Sequence, residues 1–254
     1  MIPEKGLTML REKGYQVDVF PKDEMIGKKR LKRALAHGGY DAVLSLLTDP
    51  IDAEVFDSGP TVKLYANYAT GFDNIDVVEA QKRGITVTNA PTDESSEAVA
   101  EHTIALMLAL AAKLVPAHDF VRNNKYKGWS PMAFVGTNLI GKTLGLVGAG
   151  RIGERVAQYA HGLGLSILYT DGRVNQALET SVGARRVESL DELLRSADVV
   201  SLHVPLLPST HHLIGAPQLG IMKKTAFLIN TSRGPVVDED ALVVEHRSHG
   251  SVEE

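Results

Sequence analysis

The sequence predicts an α/β protein built on parallel sheets with helices on both faces, and three observations support this fold class. Apolar strand-like segments alternate with amphipathic helical segments along the chain, which is the pattern of parallel sheets. A glycine-rich turn, Gly148-Ala149-Gly150-Arg151-Ile152-Gly153, joins one such strand to one such helix. The 254 residues are 44% hydrophobic and 23% charged, so the chain is long enough and apolar enough for two globular domains.

The first part of the chain predicts a small α/β domain over residues 1–94. Periodicity indicates amphipathic helices at residues 3–13 and 24–36. The predicted strands, each a short apolar or alternating run, are residues 16–20, 41–46, 62–66 and 85–88. The chain opens on a helix, so no strand is expected before it.

A long apolar helix is predicted to open the second domain, residues 95–254. Ser95 and Ser96 offer hydroxyl caps for its start, and Pro116 is expected to end it. Because the segment is apolar nearly all round, we expect it to be buried at a domain or subunit contact. Residues 123–138 combine Gly, Pro and Trp without periodicity and predict an irregular excursion.

From residue 142 the alternation of strand and helix becomes regular. Ser189 and Glu192 form a capping box for one short helix, and Asp238 is expected to cap the last helix, which reaches about residue 247. The predicted strands are 143–147, 165–170, 198–204 and 225–229, and the clearest helix is 151–162. We therefore expect a doubly wound parallel sheet in this domain.

The glycine turn matches G-x-G-x-x-G, the dinucleotide-binding pattern of Rossmann-type sheets. Gly148 permits the tight turn, Gly150 lets a pyrophosphate approach the backbone, and Gly153 lets helix and strand pack closely. The helix dipole and its first N–H groups favour an anion at this point. A glycine turn with a purely structural role in another α/β domain is the alternative.

The next strand ends in Asp171, 18 residues beyond Gly153, where a carboxylate can accept hydrogen bonds from the adenosine ribose. The same carboxylate would repel a 2′-phosphate, so we predict NAD as the cofactor. Arg173 can fold back onto a phosphate, so NADP stays open.

Two further strands end in polar residues at what should be the same edge of the sheet. Arg233, within Asn230-Thr231-Ser232-Arg233-Gly234, can hold a carboxylate bidentately and polarise a neighbouring ketone. A surface or phosphate-contacting arginine is the alternative. His203 ends the other strand, and a hydrogen-bonded core or rim histidine is its alternative to catalysis. No H-E-x-x-H motif or carboxylate cluster predicts a metal.

Composition narrows the partners. The net charge of −4 gives no basic surplus for nucleic acid or anionic lipid. The sequence has no cysteine, which excludes disulfides, thiolate metal sites and a cysteine nucleophile. The start lacks a signal-peptide core, and the most apolar run, residues 104–112, is too short for a membrane span. We therefore predict a cytoplasmic protein without membrane partners.

Taken in order, the motifs resemble those of the D-isomer-specific 2-hydroxyacid dehydrogenases. The matching segments are residues 69–76, 84–91, 99–101, 148–153, 203–206 and 230–234. Residues 120–129 are most similar to the glyoxylate/hydroxypyruvate reductase and phosphite dehydrogenase branches. The resemblance implies an NAD-dependent interconversion of a small 2-keto acid and a D-2-hydroxy acid. It also implies a flavodoxin-like α/β substrate domain beside the cofactor domain.

The resemblance further implies site residues and a partner. Thr70 and Gly71 would bind the substrate carboxylate through backbone N–H groups, and Arg233 would be the catalytic arginine. The implied cofactor-binding residues beyond the three glycines are Arg151, Ile152, Asp171, Val204, Pro205, Thr210, Thr231 and Ser232. The implied assembly is a homodimer through residues 95–138.

The family pattern also has parts that the 254 residues do not match. The family's acid/base histidine and its glutamate partner lie downstream of the arginine strand, and neither is found here. The first strand of the small sheet and the last strand of the cofactor sheet are also missing, which would leave strands 16–20 and 41–46 flanking a vacancy. A truncated dehydrogenase that binds NAD weakly or not at all and turns over little is therefore expected. An NAD(H)-sensing, corepressor-like protein and an inactive fragment are the alternatives.

Overall fold

The structure is a computed structural model that describes the backbone of residues 2–248 and the side chains of residues 2–245. Contacts divide the chain into two compact units, unit 1 (Met1–Pro91) and unit 2 (Thr92–Glu254). The division falls just before the helix that the sequence predicts to open the second domain.

Unit 1 is a three-stranded parallel sheet covered by helices. Its described elements are α1 (Glu4–Glu12), α2 (Lys28–Gly38), β1 (Ala42–Ser45), α3 (Ala53–Ser58), β2 (Leu64–Asn67), α4 (Val77–Lys82) and β3 (Thr86–Thr88). The strands pair in the order β1-β2-β3. The core includes an edge-to-face pair of Phe56 and Tyr65, whose ring centroids are 5.1 Å apart.

The strand predicted at residues 16–20 is wrong, because this segment is irregular and pairs with no described strand. Val19 is 40% exposed and Val17 is only partly buried, so the alternating residues are not packed on a sheet face. Alternation indicates which residues a strand would bury but does not supply a neighbour to pair with. Residues 16–20 therefore do not flank a vacancy, whereas β1 is an edge strand whose other side pairs with no described strand.

Unit 2 opens with two helices, α5 (Asp93–Ala111) and α6 (Leu114–Arg122), rather than one. Thr92 caps α5 by accepting a hydrogen bond from the N–H of Ser95, so the predicted serine caps are wrong. Lys113 has a φ of 52°, which interrupts the helix before Pro116 is reached. Pro116 lies in the first turn of α6, where a missing N–H costs no helical hydrogen bond.

Only one side of α5 is buried within the chain, and burial of its other sides at a domain or subunit contact stays a prediction. Ala100, Thr103 and Met107 are buried, whereas Leu108 and Leu110 on other sides are 42% and 48% exposed. No single helix among residues 2–248 is both long and apolar enough to cross a membrane. Helices α5 and α6 satisfy that test only as a pair, and they are bent by 64°.

The rest of unit 2 confirms the predicted doubly wound parallel sheet. Its strands are β4 (Thr143–Val147), β5 (Ser166–Thr170), β6 (Arg185–Arg186), β7 (Val199–Leu202) and β8 (Phe227–Asn230). Its helices are α7 (Arg151–Gly162), α8 (Gln176–Val182), α9 (Leu190–Ser196), α10 (Ala216–Ile221) and α11 (Glu239–Ser248). The strand order is β6-β5-β4-β7-β8 with every pair parallel.

The central strand β4 is buried on both faces, which is why it reads as a continuous apolar run. Leu144 and Leu146 pack in one core cluster, and Val147 packs in another. The predicted caps of the flanking helices are also present. Ser189 accepts from the N–H of Glu192, and Asp238 accepts from the N–H of Ala241.

Candidate dinucleotide site

The turn after β4 requires glycine at two positions for steric reasons. Gly148 has a φ of 97°, and a Cβ there would lie 2.6 Å from the carbonyl oxygen of His203. A Cβ on Gly153 would lie 2.3 Å from the carbonyl oxygen of Gly148. Both distances are far shorter than van der Waals contact, so the turn packs backbone on backbone here. This packing brings the start of α7 directly against the end of the strand.

Gly150 differs from the other two glycines because the space beside it is open. It caps α7 with a φ of −77°, and a Cβ built on it meets no atom within 4 Å. Among the described residues, no acceptor is recorded for the N–H groups of Arg151, Ile152 and Gly153 in the first turn. The N–H donors of this first turn, the positive end of the helix dipole and the open space beside Gly150 therefore lie at the same place. This arrangement fits the pyrophosphate of a dinucleotide.

Two side chains from the loop after β5 form hydrogen bonds with the backbone N–H and C=O of Ala149 in this turn. The carboxylate Oδ2 of Asp171 accepts from the N–H of Ala149 at 2.8 Å. The amide Nδ2 of Asn175 donates to the carbonyl oxygen of Ala149 at 2.9 Å. The other carboxylate oxygen of Asp171 accepts from the N–H of Arg173, whose side chain is exposed. The acidic side chain therefore lies on the glycine turn itself.

A buried tyrosine and an arginine also form hydrogen bonds with the backbone of the same loop. The hydroxyl of Tyr169 accepts from the N–H of Asn175 at 3.0 Å and donates to Glu179 at 2.8 Å. Burial and the bond to Glu179 raise the pKa of Tyr169. The Nη2 of Arg186 donates to the carbonyl oxygen of Asp171 at 3.0 Å. These contacts fix the backbone from which the Asp171 carboxylate projects.

Sequence reasoning missed Asn175 and Arg186. Asn175 also caps α8 by accepting from the N–H of Leu178, and an asparagine directly before a helical segment is a signal that predicts this cap. Its bond to Ala149 has no such signal, because the two residues meet only through the sheet. Arg186 lies on the two-residue strand β6, which is too short for a periodic pattern.

The end of β7 supports the glycine turn from the other side. The Nε2 of His203 lies 2.9 Å from the hydroxyl of the fully buried Ser201. Burial lowers the pKa of His203 to about 4, so the ring is neutral at pH 7. Val204 and Leu206 pack on the core cluster of that face, while Pro205 is exposed. A neutral, partly buried imidazole of this kind is poorly suited to donating a proton.

We expect the free energy of unfolding to fall between pH 6.5 and pH 4 because of His203. The folded pKa of about 4 lies below the ordinary value of 6.5, so the unfolded chain binds more protons in this window. The stability loss on acidification should reach about 3 kcal/mol. Urea unfolding at pH 7 and pH 5 should show a smaller loss for His203→Gln than for the wild type. His161→Gln, which replaces an exposed histidine, is the control and should lose as much stability as the wild type. If the pH dependence of His203→Gln equals that of the wild type, His203 is not the source of the stability loss.

Thr210 closes the loop that follows β7. Its hydroxyl donates to the carbonyl oxygen of Pro205 at 2.6 Å and accepts from the N–H of Leu207 at 2.8 Å. The Thr210 side chain, which the family resemblance implies as a cofactor-binding residue, is thus engaged in hydrogen bonds within the loop. Its contacts give the loop a fixed shape.

The end of β8 carries Arg233 in a hydrogen-bonded turn. Asn230 accepts from both the N–H and the hydroxyl of Ser232 and donates to the carbonyl oxygen of Arg233. The Nη1 of Arg233 donates to the carbonyl oxygen of Ser232 at 2.9 Å. The hydroxyl of Thr231 lies 2.9 Å from that of Thr103 on α5. A cavity of about 330 Å³ adjoins this turn, and its lining combines the polar residues Asn230, Ser232, Arg233 and Glu239 with Leu228, Gly234, Val237 and Leu242.

Thr70 and Gly71 lie in unit 1, in the loop after β2. The side-chain amide of Asn89 donates to the carbonyl oxygen of Thr70 at 2.6 Å, and that of Asn67 donates to the carbonyl oxygen of Gly71 at 2.9 Å. In a trans peptide the C=O and the N–H point in opposite directions. The N–H of Gly71 therefore points away from Asn89.

The structure thus brings most predicted residues of unit 2 to the carboxyl edge of one sheet. The three glycines and Asp171 meet at one turn, Val204, Pro205 and Thr210 follow β7, and Thr231, Ser232 and Arg233 follow β8. No group of three or more His, Cys, Asp or Glu residues that could hold a metal occurs in the part of the chain that the structure describes.

The doubly wound sheet and its glycine turn define a dinucleotide-binding α/β protein. A family model described as "D-isomer specific 2-hydroxyacid dehydrogenase, NAD binding domain" matches residues 104–250. A glyoxylate reductase from Korarchaeum cryptofilum is 47% identical over 242 residues, covering 95% of this chain and 71% of that protein. The chain belongs to the D-isomer-specific 2-hydroxyacid dehydrogenase family.

Further relatives agree with this assignment. A glyoxylate reductase from Thermococcus litoralis is 42% identical over 252 residues, covering 95% of this chain and 73% of that protein. The crystal structure of the TT0316 protein from Thermus thermophilus superposes with a TM-score of 0.89 at 39% identity, covering 98% of this chain and 77% of that one. D-lactate dehydrogenase from Aquifex aeolicus, complexed with NAD and lactic acid, superposes with a TM-score of 0.85 at 33% identity, covering 98% and 72%.

Proposed function

We propose that this chain is an NAD-dependent oxidoreductase that interconverts a small 2-keto acid, such as glyoxylate or hydroxypyruvate, and the D-2-hydroxy acid. The proposal rests on the 2.8 Å bond between Asp171 and the N–H of Ala149, because it puts an acidic side chain on a glycine turn beside open space. Relatives named glyoxylate reductase, 42–47% identical, support the substrate class.

In this proposal the cofactor lies along the carboxyl edge of the unit 2 sheet. The first-turn N–H groups of Arg151 and Ile152 hold the pyrophosphate, and Gly150 leaves room for it. Asp171 accepts from the adenosine ribose with lone pairs that its two backbone bonds leave available. Val204, Pro205, Thr210, Thr231 and Ser232 line the nicotinamide half. When bound, the nicotinamide supplies or accepts the hydride.

The substrate in this proposal is held through its carboxylate. Arg233 binds the carboxylate bidentately and polarises the ketone, since a guanidinium presents parallel donors in a fixed fork. The backbone N–H groups of Thr70 and Gly71 are proposed as further donors to the carboxylate. The Asn89 bond fixes the peptide plane that carries the N–H of Gly71, and the bond from the N–H of Ala90 to the carbonyl oxygen of Ala69 fixes the plane that carries the N–H of Thr70, which supports this role.

Asp171→Ser should shift the preference of the chain from NADH toward NADPH. Loss of the carboxylate removes its repulsion of the 2′-phosphate, and the exposed Arg173 is two residues away to pair with that phosphate. We expect the Kd ratio to shift roughly tenfold or more, which corresponds to about 1.4 kcal/mol. Calorimetric titration with both cofactors measures this ratio. In the double variant with Arg173→Ala the gain for NADPH should be smaller, because only the loss of repulsion remains. An unchanged ratio in Asp171→Ser would refute the ribose role.

Turnover is tested separately from binding. NADH titration and NADH oxidation with glyoxylate or hydroxypyruvate should be measured on the same preparation. Binding and turnover together would support the proposal. Binding with slow turnover is the result expected of a chain that does not match the family's acid/base histidine and its glutamate partner. Binding without any turnover would contradict an oxidoreductase and favour a cofactor-sensing protein, and failure to bind NADH would contradict both.

We also propose a homodimer through residues 95–138. Large apolar side chains are exposed there, including Leu114 at 60%, Trp129 at 82% and Met132 at 78%. Exposed apolar side chains concentrated in one segment are typical of a protein–protein contact. Sedimentation of the chain at micromolar concentration would test this assembly, and a monomer would contradict it.

We propose a cytoplasmic location, which cell fractionation would test. We also propose that the chain has no nucleic-acid or membrane partner, in keeping with the net charge of −4.

A further inference from the structure

Two threonine hydroxyls meet between the long helix and the end of the last strand of unit 2. Thr103 on α5 is 1% exposed, and its Oγ1 lies 2.9 Å from the Oγ1 of Thr231, directly after β8. The Oγ1 of Thr103 also donates to the carbonyl oxygen of Val99 at 2.8 Å. Thr231 is only partly buried.

The number of protons determines the direction of the bond between the two hydroxyls. Each threonine hydroxyl has one proton and two lone pairs. Because Thr103 gives its proton to Val99, Thr231 must donate to Thr103 for both contacts to be hydrogen bonds. The opposite direction would leave the contact with Val99 without a proton. Buried hydroxyls adopt the arrangement that makes the larger number of hydrogen bonds.

We propose that Thr103 is a positioning residue that turns Thr231 into a pure hydrogen-bond acceptor for the carboxamide NH₂ of the bound nicotinamide. With its proton committed to Thr103, the Thr231 oxygen presents only a lone pair on its exposed side. This inference rests on the proposed function, since it concerns the same cofactor site.

The position of Thr231 in the sheet favours the nicotinamide end of the cofactor. Asp171 follows β5, and Thr231 follows β8, with β4 and β7 between these two strands. A dinucleotide that crosses the carboxyl edge with its adenosine at Asp171 has its nicotinamide on the β8 side. The carboxamide NH₂ is the group on the nicotinamide ring that can donate to an acceptor.

Ser232 is the competing acceptor at this edge. Its hydroxyl donates to Asn230 at 2.7 Å, so its oxygen also retains lone pairs. Its orientation depends on Asn230 alone, and no contact with α5 is recorded for it among the described residues. The two candidates are therefore separable by substitution, because only Thr231 depends on Thr103.

The experiment compares three ligands by calorimetry: NAD, 3-acetylpyridine adenine dinucleotide and ADP-ribose. The acetylpyridine analogue has a methyl ketone in place of the carboxamide, so it has a carbonyl but no N–H, and ADP-ribose lacks the ring. The wild type should bind NAD roughly three- to tenfold more tightly than the analogue, the contribution of one neutral hydrogen bond. Thr231→Val should abolish this preference and leave the Kd of ADP-ribose unchanged.

Thr103→Val removes the acceptor of the Thr231 proton, which can then turn outward and donate to the carbonyl of either ligand. The preference for NAD should therefore fall to about one, and it should persist in Thr103→Ser, which keeps the hydroxyl. Thr180→Val is the matched control, since the Thr180 hydroxyl also donates to the carbonyl four residues earlier, on α8. A preference for NAD that persists in Thr103→Val would overturn the role of Thr103. If Thr103→Val fails to fold, Thr103→Ala, which also removes the hydroxyl, provides the same test.

Each remaining outcome has a distinct meaning. A preference that survives Thr231→Val, or that is lost in Ser232→Ala instead, would overturn the inference and leave the proposed function intact. Equal weakening of all three ligands in Thr231→Val would place the contact on the ribose and would also overturn it. Absence of NAD binding by the wild type would refute the proposed function and the inference together.

Discussion

Gly150→Ala should weaken NAD binding roughly ten- to a hundredfold and leave the Tm of the chain unchanged. Position 150 has an ordinary φ, and an added Cβ meets no protein atom within 4 Å, so the folded chain tolerates alanine. The methyl group would occupy the space through which the pyrophosphate approaches the N–H groups of Arg151 and Ile152. Hydrogen bonds to a charged group contribute about 1.5–3 kcal/mol each, which gives the expected range.

Gly153→Ala is the contrasting variant, because its effect should appear in the folded state itself. Its Cβ would lie 2.3 Å from the carbonyl oxygen of Gly148, so strand and helix must separate. We expect a stability loss of about 1–3 kcal/mol and a lower Tm without any ligand. Calorimetric titration and thermal unfolding of both variants separate the two effects. Unchanged NAD affinity in Gly150→Ala would contradict the proposed pyrophosphate site.

Arg233→Ala should lower kcat/KM for glyoxylate by about 10²–10³, because it removes both the carboxylate grip and the polarisation of the ketone. Arg233→Lys keeps the charge but not the bidentate fork and should recover only part of this loss. The affinity for NADH should change much less, since Asp171 and the glycine turn lie at the other end of the site.

The controls for Arg233 are chosen by charge and exposure. Arg173→Ala removes an exposed arginine from the adenosine side of the sheet and should leave kcat/KM for glyoxylate with NADH nearly unchanged. The affinity for oxamate, a carboxylate analogue of the substrate, measures how strongly the site binds a carboxylate in the absence of turnover. Equal oxamate affinity in Arg233→Ala and wild type would contradict the role of Arg233.

The parts of the fold that the sequence predicts well are those whose signals are local. Strand 143–147 and helix 151–162 agree with β4 and α7 because the apolar run, the glycine turn and the helical periodicity adjoin one another. The caps at Ser189 and Asp238 are likewise short-range patterns. The strand at residues 16–20 is wrong because local alternation cannot show that a pairing partner exists.

The supporting residues of the site depend on distant parts of the chain, which limits what the sequence can predict. The turn at 148–153 and Asp171 are predictable because their spacing is a known pattern. Thr103 and Thr231 are separated by 128 positions, and the contact of Asn175 with Ala149 spans 26. No periodicity relates residues so far apart, so only the folded arrangement reveals that they touch.

The two hydrogen bonds from Asp171 and Asn175 to the backbone of Ala149 constrain any redesign of the selectivity between NAD and NADP. Exchanging the segment that follows β5 for one from an NADP-dependent protein would remove two bonds that shape the phosphate-binding bend, those from Asp171 and Asn175. Such a graft would therefore loosen the grip on both coenzymes alike unless an amide donor is retained at position 175. The selectivity between NAD and NADP and the affinity for both are therefore coupled, because the same loop hydrogen bonds to the backbone N–H and C=O of Ala149.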